Sequence, residues 1–133
     1  MSCDTSRIDT SLVDADFLAD VVALLTADPS DWVITTGARS YADEKAGHDA
    51  WLADPTQPKF TNPDNSAHCC TPALAVDVTL RAGDKDDWNY EDADWQRMVN
   101  AVIASPHLHS LGPSIGDWDH LERTNWRAFR VPA

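Results

Sequence analysis
Four side chains have the types and the order that suit a hydrolytic metal centre: His68 in "NSAHCCTP", Asp77 in the apolar run "ALAVDVTL", and Asp117 and His120 in "GDWDHLER". Two imidazoles and one carboxylate are enough to hold a catalytic zinc ion while leaving its fourth position for water. Asp77 carries the strongest signal. A carboxylate in a strand otherwise built for burial is costly to desolvate, and coordination to a dication offsets that cost. The same residues have plainer readings, a satisfied core histidine and an aspartate tied to a turn, and spacing alone does not choose between them.

Other potential donors stand nearby. Cys69 and Cys70 flank His68, and a thiolate could replace Asp77 or close the fourth position of the ion. Adjacent residues rarely both reach one ion, so burial as small apolar side chains is the simpler reading. A cysteine nucleophile with His68 as base would lack a helix N-terminus or basic neighbour to lower the thiol pKa. His107 and His109 form an H-x-H that could supply spare ligands but reads first as a surface loop, and His48 reads as an exposed helical residue. The acidic stretch "GDKDDWNYEDADW" lacks the central Gly and closing Glu of an EF-hand loop and reads as solvated surface.

The elements that must position these residues follow from apolar periodicity. Leu12, Phe17, Leu18, Val21, Val22, Leu24 and Leu25 predict a helix over residues 12–27, ended by Pro29. "DWVITTG" predicts a strand, and "YADEKAGHDAWLAD" a helix weakened by Gly47 and stopped before Pro55. Residues 55–66, with three prolines, predict a loop. "ALAVDVTL" follows as a strand. Trp95, Met98, Val99, Val102 and Ile103 mark the core face of a third helix within residues 90–106, with acids in its first turn. "SLGPSIGDW" predicts a loop, and "WDHLER" and "WRAFRV" two final strands in an antiparallel hairpin. Helices and strands do not alternate regularly, so the fold class is α+β, a small mostly antiparallel sheet with packed helices.

A chain of 133 residues that is 43% hydrophobic and 24% charged suits one soluble domain over residues 1–133, with no apolar run long enough to span a bilayer. Its 22 acidic against 10 basic residues leave a net charge of −12, which repels nucleic acid phosphate. Three cysteines, an odd number, fit reduced thiols. The opening "MSCDTSRIDTSL" lacks the basic and apolar segments of a secretory signal, so a cytoplasmic location is expected.

Taken together, "VITTGARSYADEKAGHDAW", "SAHCCTPALAVDV" and "GDWDHLE" resemble, in the same order, the landmarks of the VanY-like (LAS-type) D,D-carboxypeptidases, D,D-dipeptidases and phage L-alanyl-D-glutamate endopeptidases. Their hallmark patterns are G-Y-R-S, S-x-H-x-x-G-x-A-x-D and D/E-x-x-H. The resemblance covers residues 32 to 122 and implies a hedgehog/D-Ala-D-Ala-peptidase-like fold. It further implies that His68, Asp77 and His120 are zinc ligands, and that Asp117 is the catalytic carboxylate. Arg39 would contact the scissile carbonyl and Ser66 the substrate.

The activity so implied is that of a zinc metallopeptidase, a hydrolase acting on stem peptides of bacterial peptidoglycan in cell wall degradation. In a bacteriophage it would act as an endolysin released at lysis, or travel in the virion. The alternative is a non-catalytic structural or interaction module, such as a virion component, that keeps the fold. Departures from the pattern are specific: His68 and Asp77 are nine positions apart where the family has seven, an expansion that a bulging loop would absorb. Ala73 replaces a Gly, Ala38 replaces the aromatic of G-Y-R-S, and Glu44 stands where a Gln is usual.

Overall fold
The computed structural model describes residues 2–129. The elements run β1 (Ser2–Asp4), α1 (Ala15–Ala27), β2 (Asp31–Thr36), α2 (Tyr41–Ala53), β3 (Ala75–Ala82), β4 (Lys85–Asp87), α3 (Ala93–Ala104), β5 (Leu108–Leu111), α4 (Gly112–Ile115), β6 (Asp117–Arg123) and α5 (Trp126–Phe129). Short 3-10 turns lie at Thr10–Leu12, Pro63–Asn65 and Ala67–Cys69.

Caps decide where the long helices begin. The Asp14 carboxylate accepts the Phe17 N–H at 2.9 Å, so α1 starts at Ala15 and buries Phe17, Val21 and Leu25 at four-residue intervals. Leu12, expected on that face, falls in the preceding 3-10 turn and is exposed. In α3 the buried stripe is Trp95, Met98, Val99 and Val102. Ile103 is exposed instead, because eight residues on from Trp95 the helix has rotated about 80° beyond whole turns. Tyr90, expected within this helix, precedes it and packs edge-on against Trp95 at 4.8 Å.

The sheet has the order β1-β2-β3-β6-β5, with β4 pairing on β3 beyond this path. β1 runs parallel to β2 and the other named pairings are antiparallel. α1 packs on β1 and β2, α3 on β5 and β6, and the two helices touch. Trp32, Val33 and Ile34 of β2 are all fully buried, and Trp32 meets Trp95 edge-on at 5.1 Å inside the core. α2 stands apart from this core and packs on the Pro63–Asn65 turn.

Some segments differ from expectation. β6 forms over "DWDHLER", but its antiparallel partners are β5 and β3 rather than a following strand. The strand expected over residues 126–131 is a helical turn at Trp126–Phe129, and residues 130 and 131 lie outside the described residues. Trp126 and Phe129 are three apart, the spacing of one helical face, whereas in a strand that odd separation would send them to opposite faces. β5 includes His109, which the sequence suggests is in a loop, and β4 lies in the acidic stretch, closing a hairpin on β3 through Gly83 and Asp84.

Candidate metal centre
Asp77 and His120 are direct cross-strand partners in the antiparallel pairing of β3 with β6. Side chains at directly opposed positions share a face, about 4.5–5.5 Å apart at Cβ, so the register itself brings this carboxylate and this imidazole together. His68 arrives from the third direction, on the Ala67–Cys69 turn. Its carbonyl accepts the Arg39 N–H at 3.0 Å, and its Nδ1–H donates to the Gly37 carbonyl at 2.7 Å, which ties the turn to the end of β2. The residues that separate His68 from Asp77 form an excursion closed by a Leu74 N–H to Ala67 carbonyl bond of 3.0 Å. The longer spacing is therefore taken up by a loop, and β3 still presents Asp77.

The three side chains converge. His68 Nε2 lies 3.3 Å and His120 Nδ1 3.5 Å from the same Asp77 oxygen, Oδ1, and one donor atom from each residue lies within 4.8 Å of the other two. The far nitrogen of each ring is already engaged, that of His68 by Gly37 and that of His120 by Glu122 Oε1 at 2.7 Å. Outer acceptors of this kind fix ring orientation and tautomer, and leave the inner nitrogens free to coordinate. The donor set fits a divalent cation on chemistry and on geometry.

The electrostatics are strongly biased. Burial by itself would raise the pKa of Asp77, but hydrogen bonds and charge from His120 and His68 outweigh it and hold the carboxyl well below the usual range. Burial would likewise lower the pKa of His120, yet Asp77 and Glu122 on its two sides push it up to about 10. Asp119, raised to about 7 by burial and then by Asp117 and Asp77, keeps a proton far longer than an ordinary aspartate.

Around the cluster is an open cavity of about 460 Å³. Asp117 and Asp119 both line it beside His120, although a regular strand would send residues at odd separation to the opposite face. An irregularity accounts for this: Ser110 pairs with Leu121 but Leu111 pairs with Asp117, so β6 carries extra residues that re-aim its side chains. The bend is held where Trp118 covers Gly112, at a spot where any Cβ would collide with the indole.

Arg39 and Ser66 also line the cavity. Arg39 Nη1 donates to Glu44 Oε2 at 2.7 Å, its Nη2 lies 3.9 Å from Asp77 Oδ2, and its guanidinium sits 5.2 Å from the centroid of the Phe60 ring. Phe60 belongs to the proline-rich loop, which docks on α2. A Cβ at Gly47 would come within 2.5 Å of the Phe60 ring, and His48 Nδ1–H donates to the Phe60 carbonyl at 2.7 Å. Gly47 thus has a packing reason, and His48 is half-buried rather than exposed.

The structure brings His68, Asp77, His120, Asp117, Arg39 and Ser66 to one cavity. Among the described residues Cys69 and Cys70 lie outside the donor cluster, and burial pushes the Cys69 thiol up, against nucleophilic use. His107 and His109 are exposed and also outside it. Glu44, noted in the sequence as a departure from a family Gln, also lines the cavity, while Glu122, Asp119 and Phe60 are additions that sequence reasoning did not single out as part of the site. Only Glu122 had a legible signal, since two residues beyond His120 on a strand is the same face.

No protein-family model and no curated protein matches this chain. Among solved structures, it is similar to the Serratia marcescens L-Ala D-Glu endopeptidase ChiX, with a TM-score of 0.69 and 18% identity over 97% of this chain and 94% of that one. It is also similar to the vancomycin resistance D,D-dipeptidase VanXYg in complex with a D-Ala-D-Ala phosphinate analogue, with a TM-score of 0.60 and 19% identity over 84% of this chain and 50% of that one. The chain has the fold these peptidases share, as its motifs imply.

Proposed function
We propose that the chain works as one zinc-dependent peptidase unit that hydrolyses peptide bonds in the stem peptides of bacterial peptidoglycan. The observation that carries this reading is the convergence of His68, Asp77 and His120 on one point, each ring locked from behind, in a fold shared with an L-Ala D-Glu endopeptidase and a D,D-dipeptidase. His68 Nε2, Asp77 Oδ1 and His120 Nδ1 would hold the ion. A bound zinc ion supplies Lewis acidity, bringing the pKa of its water to about 7 and polarising a carbonyl.

The chain's own groups do the rest. Asp117, aimed into the cavity, accepts the proton of the attacking water and returns it to the leaving amine as the C–N bond breaks. Asp119 lines the cavity beside it, its pKa raised by burial and then by Asp117 and Asp77. Arg39 offers the Nη2 edge of its guanidinium to the carbonyl oxygen as negative charge grows on it. Ser66, on the cavity wall, contacts the peptide backbone.

Metal analysis combined with mass spectrometry of digested peptidoglycan tests both parts. One zinc per chain and new, chelator-sensitive amino termini at a stem-peptide bond are expected. Stoichiometric zinc with no cleavage of any wall peptide would reject the enzymatic reading.

A further inference from the structure
The one residue that α2 buries is an acid. Glu44 is 1% exposed on a helix whose other side chains are wholly or partly in solvent, where an apolar contact would be the ordinary anchor. A buried carboxylate is costly unless it is paired, and its partner is Arg39 Nη1 at 2.7 Å. The two residues bracket the helix start. Ser40 is the N-cap, its hydroxyl accepting the Asp43 N–H at 3.1 Å, so Arg39 directly precedes the cap and Glu44 is the fourth helical residue. These are the positions at which an apolar pair commonly fixes the angle of the incoming chain. An apolar pair would serve α2 equally well, so the helix alone does not account for the charge.

The rest of the guanidinium's surroundings supply a reason. Phe60 stands on one face, Nη2 points toward Asp77 at 3.9 Å, and the Arg39 N–H is fixed to the His68 carbonyl. With Nη1 taken by Glu44, a long flexible side chain is reduced to one pose. We propose that Glu44 is a positioning residue: it holds the Arg39 guanidinium so that its Nη2 edge faces the amide to be cleaved, and it acts only through Arg39. This rests on the peptidase reading above.

The test is a double-mutant cycle on the zinc-loaded protein with a stem-peptide substrate, joined to NMR of the arginine side chains. Glu44→Leu should lower kcat about 100-fold, the scale of a misplaced catalytic group, with zinc stoichiometry unchanged. Glu44→Gln, which keeps an acceptor for Nη1, should recover most of that loss. Arg39→Leu and Arg39→Leu/Glu44→Leu should be equally slow, the double variant melting no lower than the wild type because an apolar pair then occupies the two positions. Restricted rotation of the Arg39 guanidinium should be visible in the wild type and in Glu44→Gln and lost in Glu44→Leu.

A further drop in kcat on adding Glu44→Leu to Arg39→Leu, or a Glu44→Leu protein with unchanged Arg39 signals, would overturn the proposal. If Glu44→Leu alone does not fold, the comparison of the Arg39→Leu pair decides. The NMR measurement needs no turnover, so a wild type that cuts no peptide defeats the peptidase reading separately from this one.

Discussion
Two aspartates, Asp28 buried and Asp77 partly so, make an instructive pair. Asp28, between α1 and β2, accepts from Arg97 Nε and Nη2, from the Trp32 indole N–H and from the Ser30 amide, each at 2.9 Å. Asp77 has neighbours at 3.3, 3.5 and 3.9 Å, from two imidazoles and one guanidinium, with no shorter bond to its carboxylate among the described residues. Asp28 is saturated by short, directional partners that fasten α3 to the end of α1. Asp77 is ringed by groups that approach one point without closing on it. The difference separates a carboxylate that holds the fold together from one arranged for a further ligand.

That contrast can be broken from the Asp77 side first. Asp77→Ala should weaken zinc binding more than about 100-fold, beyond the range for loss of an outer partner, while far-UV circular dichroism stays native. Asp117→Ala should keep the ion and lower kcat about 10²–10⁴-fold, as for removal of a general base. Equilibrium dialysis and steady-state kinetics on the two variants separate holding the ion from using it. Glu122→Ala should lower zinc affinity about 10–100-fold by freeing the His120 ring.

From the Asp28 side the outcome reverses. Asp28→Ala should leave zinc affinity alone and cost about 2–3 kcal/mol in urea unfolding, since it strands the buried Trp32 N–H and leaves Arg97 with Asp94 as its remaining carboxylate. The smallest expected effect is one of pH. Burial opposes ionisation of Asp28, but Arg97, Trp32 and Ser30 outweigh it and lower its pKa from 3.8 to about 2. Its contribution to stability is therefore complete above about pH 4 and disappears as the pH falls through about 2. The amplitude is modest because Arg97 is 40% exposed and screened by solvent. Asp28→Asn should flatten that acid limb in urea titrations between pH 5 and 2; an unchanged limb would assign it to other carboxylates.

The long, periodic elements were legible because burial of one face leaves a repeat in the chain. Phe17, Val21 and Leu25, and Trp95 through Val102, are where their spacing puts them. Asp77 was legible for the opposite reason, as a charge that the strand pattern does not explain. Short strands were not: β1 and β4 have three residues each, too few for any period to register. Nor could β6's irregularity be read, since it depends on pairing with β5, and the role of Phe60 depends on a loop meeting a helix. Conjoined motifs carried the fold assignment, which the likeness to the two peptidase structures supports independently.

The bond from Leu74 to Ala67 gives the segment between two of the cluster's side chains a neck. His68 sits at one side of that neck and Ala73, bonded to Leu12 and Asp14, at the other, so the exposed tip of Thr71 and Pro72 between them is where the segment can change length with least effect on the cluster. Distance counted along the polypeptide is then a poor ruler for such a centre, and fixed-gap patterns will pass over proteins built this way. The same tip offers a place to graft a fluorophore or an affinity tag that reports on the cavity without entering it.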